Sequence, residues 1–492
     1  MELAIALDSE SSEPLQRQLY TELRRGILSG RLARGLRLPP TRELATSLGI
    51  SRTTVTLVYE SLVSEGYLEG KTGAGTYVAN CLPDEMLQTA PIEPATLAIE
   101  AQEEASTLSR FGRYLATTQL FGPTEEPEIQ FAFGRPDNTT FPMAQWLRLL
   151  NKHGKEADLH YLELPKRSQG HPALREAIAR YVGRSRGMNI APEQVVIVNG
   201  SQQAADLCTR LFVERGEYIG IEDPCWIGAK TIFESQGAKM WPVPVDHDGI
   251  RVSDLSNANT PNLKLLYVTP SHQFPTGAVL TLARRLELLS WAKRTHTYIV
   301  EDDYDSEFRY SGRPVPALAG LDTNNRVLYV GTFSKVLFVS LRLGYLIVPP
   351  HLVHAFSHGK WLTDRHSPIL EQLVLADFIN EGHLERHIRR MRKIYEERRE
   401  ALVNSLQKHF GEEVRVVGQS AGLHVLIEFV TNKTTQEIIN RAAAEGVGLL
   451  PTMHVSPTEN LKTVSFILCY GALTPDQIED GIGRLRRAIS AA

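Results

Sequence analysis

Lys335 follows the apolar run 327–330 in Gly331-Thr332-Phe333-Ser334-Lys335, and the run 298–300 leads into Glu301-Asp302-Asp303-Tyr304. A lysine beside hydroxyls at one strand end, with a carboxylate one strand away, suits pyridoxal phosphate chemistry. The amine condenses with the aldehyde, and the acid keeps the pyridine nitrogen protonated so that the ring withdraws electrons. Arg342, seven residues past Lys335, can pair bidentately with a phosphate. The run 195–198 opens into Asn199-Gly200-Ser201-Gln202-Gln203 at the start of a helix, where backbone N–H groups and Ser201 can bind the same anion. After 218–221 comes Glu222-Asp223-Pro224-Cys225-Trp226, whose indole face can stack on an aromatic ring. Each residue alone has a plainer reading: a strand-end lysine is usually solvated, Asp302 can cap a turn, and Trp226 can be core.

These residues converge only if the runs are neighbouring strands, because ligands of an open parallel sheet sit beyond the strands' carboxyl ends. The runs 195–198, 218–221, 265–269, 298–300, 327–330 and 343–348 alternate with helical segments. That alternation predicts buried parallel strands of an α/β domain. Farther on, 424–429 and 465–470, interleaved with helices near 434–446 and 475–489, predict a smaller α+β lobe. Upstream, Pro83, Pro91, Pro94, Pro123 and Pro127 interrupt an acidic stretch rich in Ala and Thr, read as a linker over 81–127 with a short helix in its middle.

A different pattern precedes the linker. Leu15, Leu19, Leu23 and Ile27 recur every four positions after Pro14, with Gly30 placed as a C-cap. Thr41 can cap a second helix with Leu44, Ala45 and Leu48 inward, and after Gly49, Ser51 can cap a third that buries Val55, Tyr59 and Leu62. Two helices joined by a short Gly-containing turn form a helix-turn-helix. Tyr67-Leu68 and Tyr77-Val78 flank a glycine-rich tip and read as a wing. Arg52, Thr53, Thr54 and Thr56 lie on the face of the third helix away from its apolar side, where base edges would be met, and Arg42 and Lys71 can clamp phosphates. Residues 14–80 carry nine Lys and Arg against five Asp and Glu, whereas the whole chain of 492 residues has a net charge of −4, so a basic head sits on an acidic body.

The 42% apolar and 22% charged composition over this length predicts a globular protein of two or more domains. The four cysteines form no CxxC pair, which argues against a zinc site or a disulfide framework and for the cytoplasm. Secretion and membrane spanning are not expected, because the N-terminus is not signal-like and no apolar run reaches about eighteen residues.

Leu38-Pro39-Pro40-Thr41-Arg42-Glu43-Leu44-Ala45, Leu48-Gly49-Ile50-Ser51-Arg52-Thr53-Thr54-Val55 and Gly73-Ala74-Gly75-Thr76-Tyr77-Val78 resemble the GntR-type winged helix. The resemblance implies DNA contact from Arg42, Arg52, Thr53 and Thr54, with the wing tip near Thr72 and Gly73. The strand-end runs, together with Phe274-Pro275-Thr276-Gly277 and Arg342-Leu343-Gly344, resemble fold type I aminotransferases over about 130–490. That likeness implies Lys335 as the Schiff-base lysine of pyridoxal 5'-phosphate, Asp302 at the pyridine nitrogen and Tyr304 at the phenolic oxygen. It also implies Ser201, Gln202, Thr332, Ser334 and Arg342 at the phosphate, Trp226 stacked on the ring, and Tyr161 reaching the phosphate of a neighbouring subunit.

Head and body together resemble the MocR/GabR regulators, in particular through Ser271-His272-Gln273-Phe274-Pro275 and the run from Glu301 to Tyr310. The expected arrangement is a winged helix over 1–80, the linker over 81–127, and an aminotransferase-like body over 128–492 with a mostly parallel sheet and a small C-terminal lobe. A cytoplasmic homodimer on a double-stranded operator is implied, sensing a small amine, an amino acid or pyridoxal phosphate itself, with vestigial transamination at most. The rival expectation is a working aminotransferase with an accessory head. Ile467 stands where aminotransferases place a carboxylate-binding arginine, and Gly228 where a GABA-sensing relative has a second one, so neither clamp is expected.

Overall fold

The computed structural model describes residues 13–71, 75–83, 107–118, 127–131, 134–155, 168–311, 315–455 and 463–490, with a few positions before 13. The chain divides into two compact units, Met1–Leu108 and Ser109–Ala492.

In the first unit, helices Leu15–Leu28, Thr41–Leu48 and Arg52–Ser64 pack their apolar faces together, and strands Leu68–Lys71 and Gly75–Val78 pair antiparallel as the wing. Leu19, Leu23, Val55, Val58, Tyr59, Leu62, Leu68 and Val78 form its core. The buried Tyr59 hydroxyl donates to the carbonyl of Pro39 at 3.0 Å, tying the third helix to the chain that enters the second. Ser51 caps the third helix by accepting from the Thr54 amide at 3.0 Å. Thr41 does not cap the second. Pro39 and Pro40 hold extended backbone up to the first turn, so Thr41 is already helical and Pro40 precedes it without a side-chain cap.

The second unit is built on an eight-stranded sheet in the spatial order Val195–Val198, Gly344–Ile347, Val327–Thr332, Tyr298–Asp303, Leu263–Val268, Tyr218–Asp223, Lys239–Asp246, Gly249–Ile250. The five strands from Val327–Thr332 to Lys239–Asp246 are mutually parallel. Their aliphatic residues are buried because helices cover both faces. The strand Gly344–Ile347 departs from the parallel expectation: it runs antiparallel to both neighbours. Between Thr332 and Gly344 the chain makes only a short 3₁₀ turn, Val339–Leu341, and Arg342 in the left-handed region. It lacks the crossover helix that a parallel return needs, so it folds straight back. This return carries both Lys335 and Arg342.

The smaller lobe is an antiparallel sheet in the order Val414–Val417, His424–Val430, Thr463–Cys469, Leu450–Pro451, with helices Thr435–Ala444 and Pro475–Ser490 and the long helix His383–Phe410. Of the stretch read as a linker, helix Arg110–Thr117 lies in the second unit, where the Tyr114 hydroxyl donates to Glu234 at 3.1 Å. The centre of that stretch, with Tyr161, Thr72 and Gly73, lies outside the described residues.

One buried ion-pair network ties the sheet to its flanking helix. Arg186, at the end of helix Pro172–Arg186, lies 2.8 Å from Asp303 and 2.9 Å from Glu307, and the Tyr329 hydroxyl donates to Asp303 at 2.6 Å. Burial alone would raise the Asp303 carboxyl, but the Arg186 charge together with hydrogen bonds from Ser306, Tyr329 and Arg186 holds it below its usual range. Arg186→Met strands a buried carboxylate and is expected to cost about 3–5 kcal/mol. All five tryptophans lie in the second unit. Urea unfolding followed by tryptophan fluorescence therefore measures that loss, and an unchanged midpoint contradicts it.

Candidate functional site

On the head, the third helix presents Arg52 and Thr53 to solvent, and Arg42 is exposed on the second. Thr54 is half-buried, and its hydroxyl lies 2.8 Å from that of Ser51, so part of its hydrogen-bonding capacity belongs to the cap. The Thr56 hydroxyl donates to the Arg52 carbonyl at 3.0 Å, within the helix. The two arginines and Thr53 are thus the side chains most available to a groove and its phosphates.

In the second unit, the carboxyl ends of the parallel strands enclose a cavity of about 670 Å³, its open mouth included. Ser201, Gln202, Trp226, Asp302, Tyr304, Thr332, Ser334, Lys335 and Arg342 all line it. Every described body residue proposed from sequence is therefore brought to one place. Sheet order explains why. Asp302 and Val330 are register partners on adjacent parallel strands, so the turn that follows Thr332 emerges beside Asp302.

Asp302 is buried and doubly hydrogen-bonded. Tyr267 donates to Oδ2 at 2.5 Å and Ser201 to Oδ1 at 3.2 Å. Burial pushes its pKa up to about 6, and these two donors limit the rise. Lys335 is buried too, which pushes its ammonium pKa down against the field of Cys469, Asp305 and Asp302. Its Nζ sits so close to Gly134 that a side chain there would begin 2.6 Å away.

Three groups face the cavity as anion donors. The helix Ser201–Phe212 starts at Gly200 with no side-chain cap, so its first amides meet no side-chain acceptor there. The Ser334 hydroxyl is buried and makes no hydrogen bond among the described residues. Arg342 donates to the Asn199 carbonyl at 2.6 Å, which holds its guanidinium against Gly200. Ser201 differs from its expected role, since its hydroxyl is turned to Asp302.

Sequence reasoning missed Tyr267, Thr269, Phe274 and Val339, which also line the cavity. Tyr267 lies in the middle of an apolar run, whereas the polar residues read as the site follow the ends of such runs. Register partners of the adjacent strand would have found it, because Tyr267 pairs with Val300 two residues before Asp302.

A family described as "Bacterial regulatory proteins, gntR family" matches residues 15–78, and one described as "Aminotransferase class I and II" matches residues 128–485. The probable rhizopine catabolism regulatory protein MocR of Rhizobium meliloti is 40% identical over 494 residues, covering 99% of this chain and 96% of the relative. The HTH-type pyridoxine biosynthesis transcriptional regulator PdxR of Corynebacterium glutamicum is 29% identical over 453 residues, covering 92% and 91%. The crystal structure of LysN, the α-aminoadipate aminotransferase of Thermus thermophilus complexed with N-(5'-phosphopyridoxyl)-L-leucine, is similar with a TM-score of 0.69. It is 27% identical, covering 80% of this chain and 98% of that one. Site, fold and similarities define the class: a transcription regulator that joins a winged helix to a domain of aminotransferase fold. Within that class the chain belongs to the MocR-type, gntR-family regulators.

The raised pKa of Asp302 has a thermodynamic sign. The unfolded chain ionises this group near the ordinary 3.8 and the folded chain only near 6, so the carboxyl opposes folding increasingly as pH rises through that window. In protein without added ligand, Asp302→Asn is expected to gain stability relative to wild type between pH 4 and pH 7, by about 1–3 kcal/mol. Urea midpoints at the two pH values test this. A growing deficit of the asparagine variant with pH contradicts it.

Proposed function

We propose that this regulator binds operator DNA as a cytoplasmic homodimer and senses a small amine, an amino acid or pyridoxal phosphate in the cavity of its second unit. The observation that carries the reading is the convergence of Lys335, Asp302, Ser334 and Arg342 on one cavity. The lining fits pyridoxal 5'-phosphate: a buried hydroxyl in want of a partner and an uncapped helix start suit its phosphate, and a buried acid suits its ring nitrogen.

Lys335 would bond the aldehyde and Asp302 would face the ring nitrogen. Tyr304 would donate to the phenolic oxygen, Trp226 would cover one ring face, and Gln202, Thr332, Ser334, Arg342 and the amides after Gly200 would hold the phosphate, with Ser201 steering Asp302. Tyr161 would reach the phosphate of the neighbouring subunit. When bound, the cofactor supplies an electron-withdrawing ring whose carbonyl exchanges amines. Burial favours the neutral form of Lys335, the form that can act as a nucleophile.

A specific observation favours pyridoxal phosphate itself over an α-amino acid as effector. Ile467 is buried with Phe274, Tyr304 and Leu426 in an apolar cluster beside the cavity, an environment that offers a carboxylate nothing. At Gly228 a side chain would begin 2.3 Å from the Trp226 ring, so no cation fits there while the indole holds its place. A ligand that prefers one arrangement of the heads shifts operator affinity by its differential affinity for that arrangement. The cytoplasmic assignment draws on DNA binding and on the described helices, none of which is long and apolar enough to cross a membrane.

Full-length protein titrated with pyridoxal phosphate is expected to develop a visible absorption band that Lys335→Ala lacks. A band of equal strength in both removes Lys335 from its role. On operator DNA, Arg52→Ala is expected to weaken binding by about 1–3 kcal/mol, and Arg42→Ala to flatten the dependence of log K on log salt by about one unit. Steady amino-group transfer without operator binding would favour the rival enzyme reading.

A further inference from the structure

From Tyr304 a chain of buried polar groups runs behind the cavity wall, and its other members have no part in these roles. His272 Nδ1 stands 3.1 Å from Asp305 Oδ2 and 3.1 Å from the Tyr304 hydroxyl, and that hydroxyl also reaches the His272 carbonyl at 3.0 Å. The side chains of His272 and Asp305 are sealed from solvent, at 0% and 1% exposure. His272 Nε2 has no hydrogen-bond partner among the described residues. The neighbouring His424 ring, 4.8 Å away between centroids, directs its own Nε2 to the Pro275 carbonyl at 3.2 Å.

We propose that Asp305 and His272 are a positioning pair that turns the hydrogen of the Tyr304 hydroxyl toward an oxyanion bound in the cavity. The proposal rests on the reading of that cavity as a pyridoxal phosphate site, whose phenolic oxygen is the acceptor.

Where each hydrogen can go decides the tautomer. A hydrogen on His272 Nε2 would be a buried donor without an acceptor, and it would leave a bare Nδ1 facing the Asp305 carboxylate. A hydrogen on Nδ1 gives Asp305 Oδ2 a donor and leaves the ring with an unused acceptor at Nε2, the milder defect. With Nδ1 already a donor, Tyr304 cannot give its hydrogen to the ring. The His272 carbonyl and an acceptor in the cavity then compete for it, and a charged acceptor is the stronger of the two. Asp305 thus decides what Tyr304 can donate to without touching the ligand.

The backbone holds the pair in place. A side chain at Gly422 would begin 2.0 Å from His272 Cε1 and 2.6 Å from Asp305 Oδ2. The Gly422 carbonyl is fixed there by the hydroxyls of Tyr310 at 2.8 Å and Tyr470 at 2.7 Å. Asp302, Asp303 and Glu222 also act electrostatically on Tyr304, and Lys335 lies in the field of Asp305. Asp302, Asp303 and Glu222 are common to every variant compared below, whereas Asp305→Asn also removes a negative charge that favours the protonated nitrogen at Lys335, which alone would lower the midpoint, opposite to the rise expected of the pair.

Two measurements on the full chain test the pair. The first is the ¹⁵N shifts of the His272 ring in protein without added ligand, where the Nδ1–H tautomer is expected. A ring protonated on Nε2 overturns the proposal, whatever the cavity binds. The second is the pH titration of the visible band formed with pyridoxal phosphate. In Asp305→Asn the carboxylate that keeps the hydrogen on Nδ1 is gone, so the ring can take its other tautomer, in which the single lone pair of Nδ1 accepts from Tyr304 and withdraws the donor from the cavity. The midpoint is expected to rise by about one pH unit, as in Tyr304→Phe, and the double variant to rise no further. A wild-type midpoint in Asp305→Asn beside a shifted Tyr304→Phe overturns the pair. If wild type forms no band, the cavity reading fails, and the ring tautomer alone judges Asp305 and His272.

Discussion

An amine and a carboxyl group kept out of water at the same end of one sheet are the constraint around which the second unit is arranged. Water would hold Lys335 and Asp302 charged, whereas burial moves both toward neutrality, the acid upward and the amine downward. Neither position stabilises the ligand-free fold. The surroundings tolerate both because each polar atom of Asp302 is met by a hydroxyl, one from Tyr267 and one from Ser201. Farther from the cavity, the same sheet is secured by a buried ion pair, Arg186 with Asp303, with Glu307 beside them. Adjacent acids on one strand therefore carry opposite tasks: Asp303 anchors the sheet, and Asp302 is kept available.

The second organising feature is the direct return between Thr332 and Gly344. A crossover helix there would have carried the chain around one face of the sheet and delivered Arg342 elsewhere. By reversing at once, the chain sets Lys335, Ser334 and Arg342 along a single rim, and the reversed strand then pairs with Val195–Val198. That pairing brings Gly200 and the start of the following helix to the same rim. Anion donors from two distant parts of the sequence are thus joined by one antiparallel strand.

Much of this was legible in the sequence where a single physical rule operates. Continuous aliphatic runs marked buried strands, and polar residues after them marked the site, which located Lys335, Asp302, Trp226 and Arg342. The strand Lys239–Asp246 was not legible: Pro242 and Pro244 interrupt it and most of its residues are only partly buried, so it lacks the continuous run of its neighbours. The direction of Gly344–Ile347 was misread because composition reports burial and not orientation. Tyr267 escaped because it contributes from within a strand. His272 and Asp305 were noticed as marks of kinship, yet their contact joins residues 33 apart through a buried hydrogen bond, which no local pattern announces.

The indole shelf formed by Trp226 bears on how this cavity can change over time. Because the ring occupies the space that any side chain at position 228 would need, a charged residue cannot be introduced there by one substitution without displacing the shelf. Acquiring a taste for a carboxylate ligand at that wall requires at least two coordinated changes, the first of them damaging. While the indole keeps its place, geometry alone bars a cation from that wall.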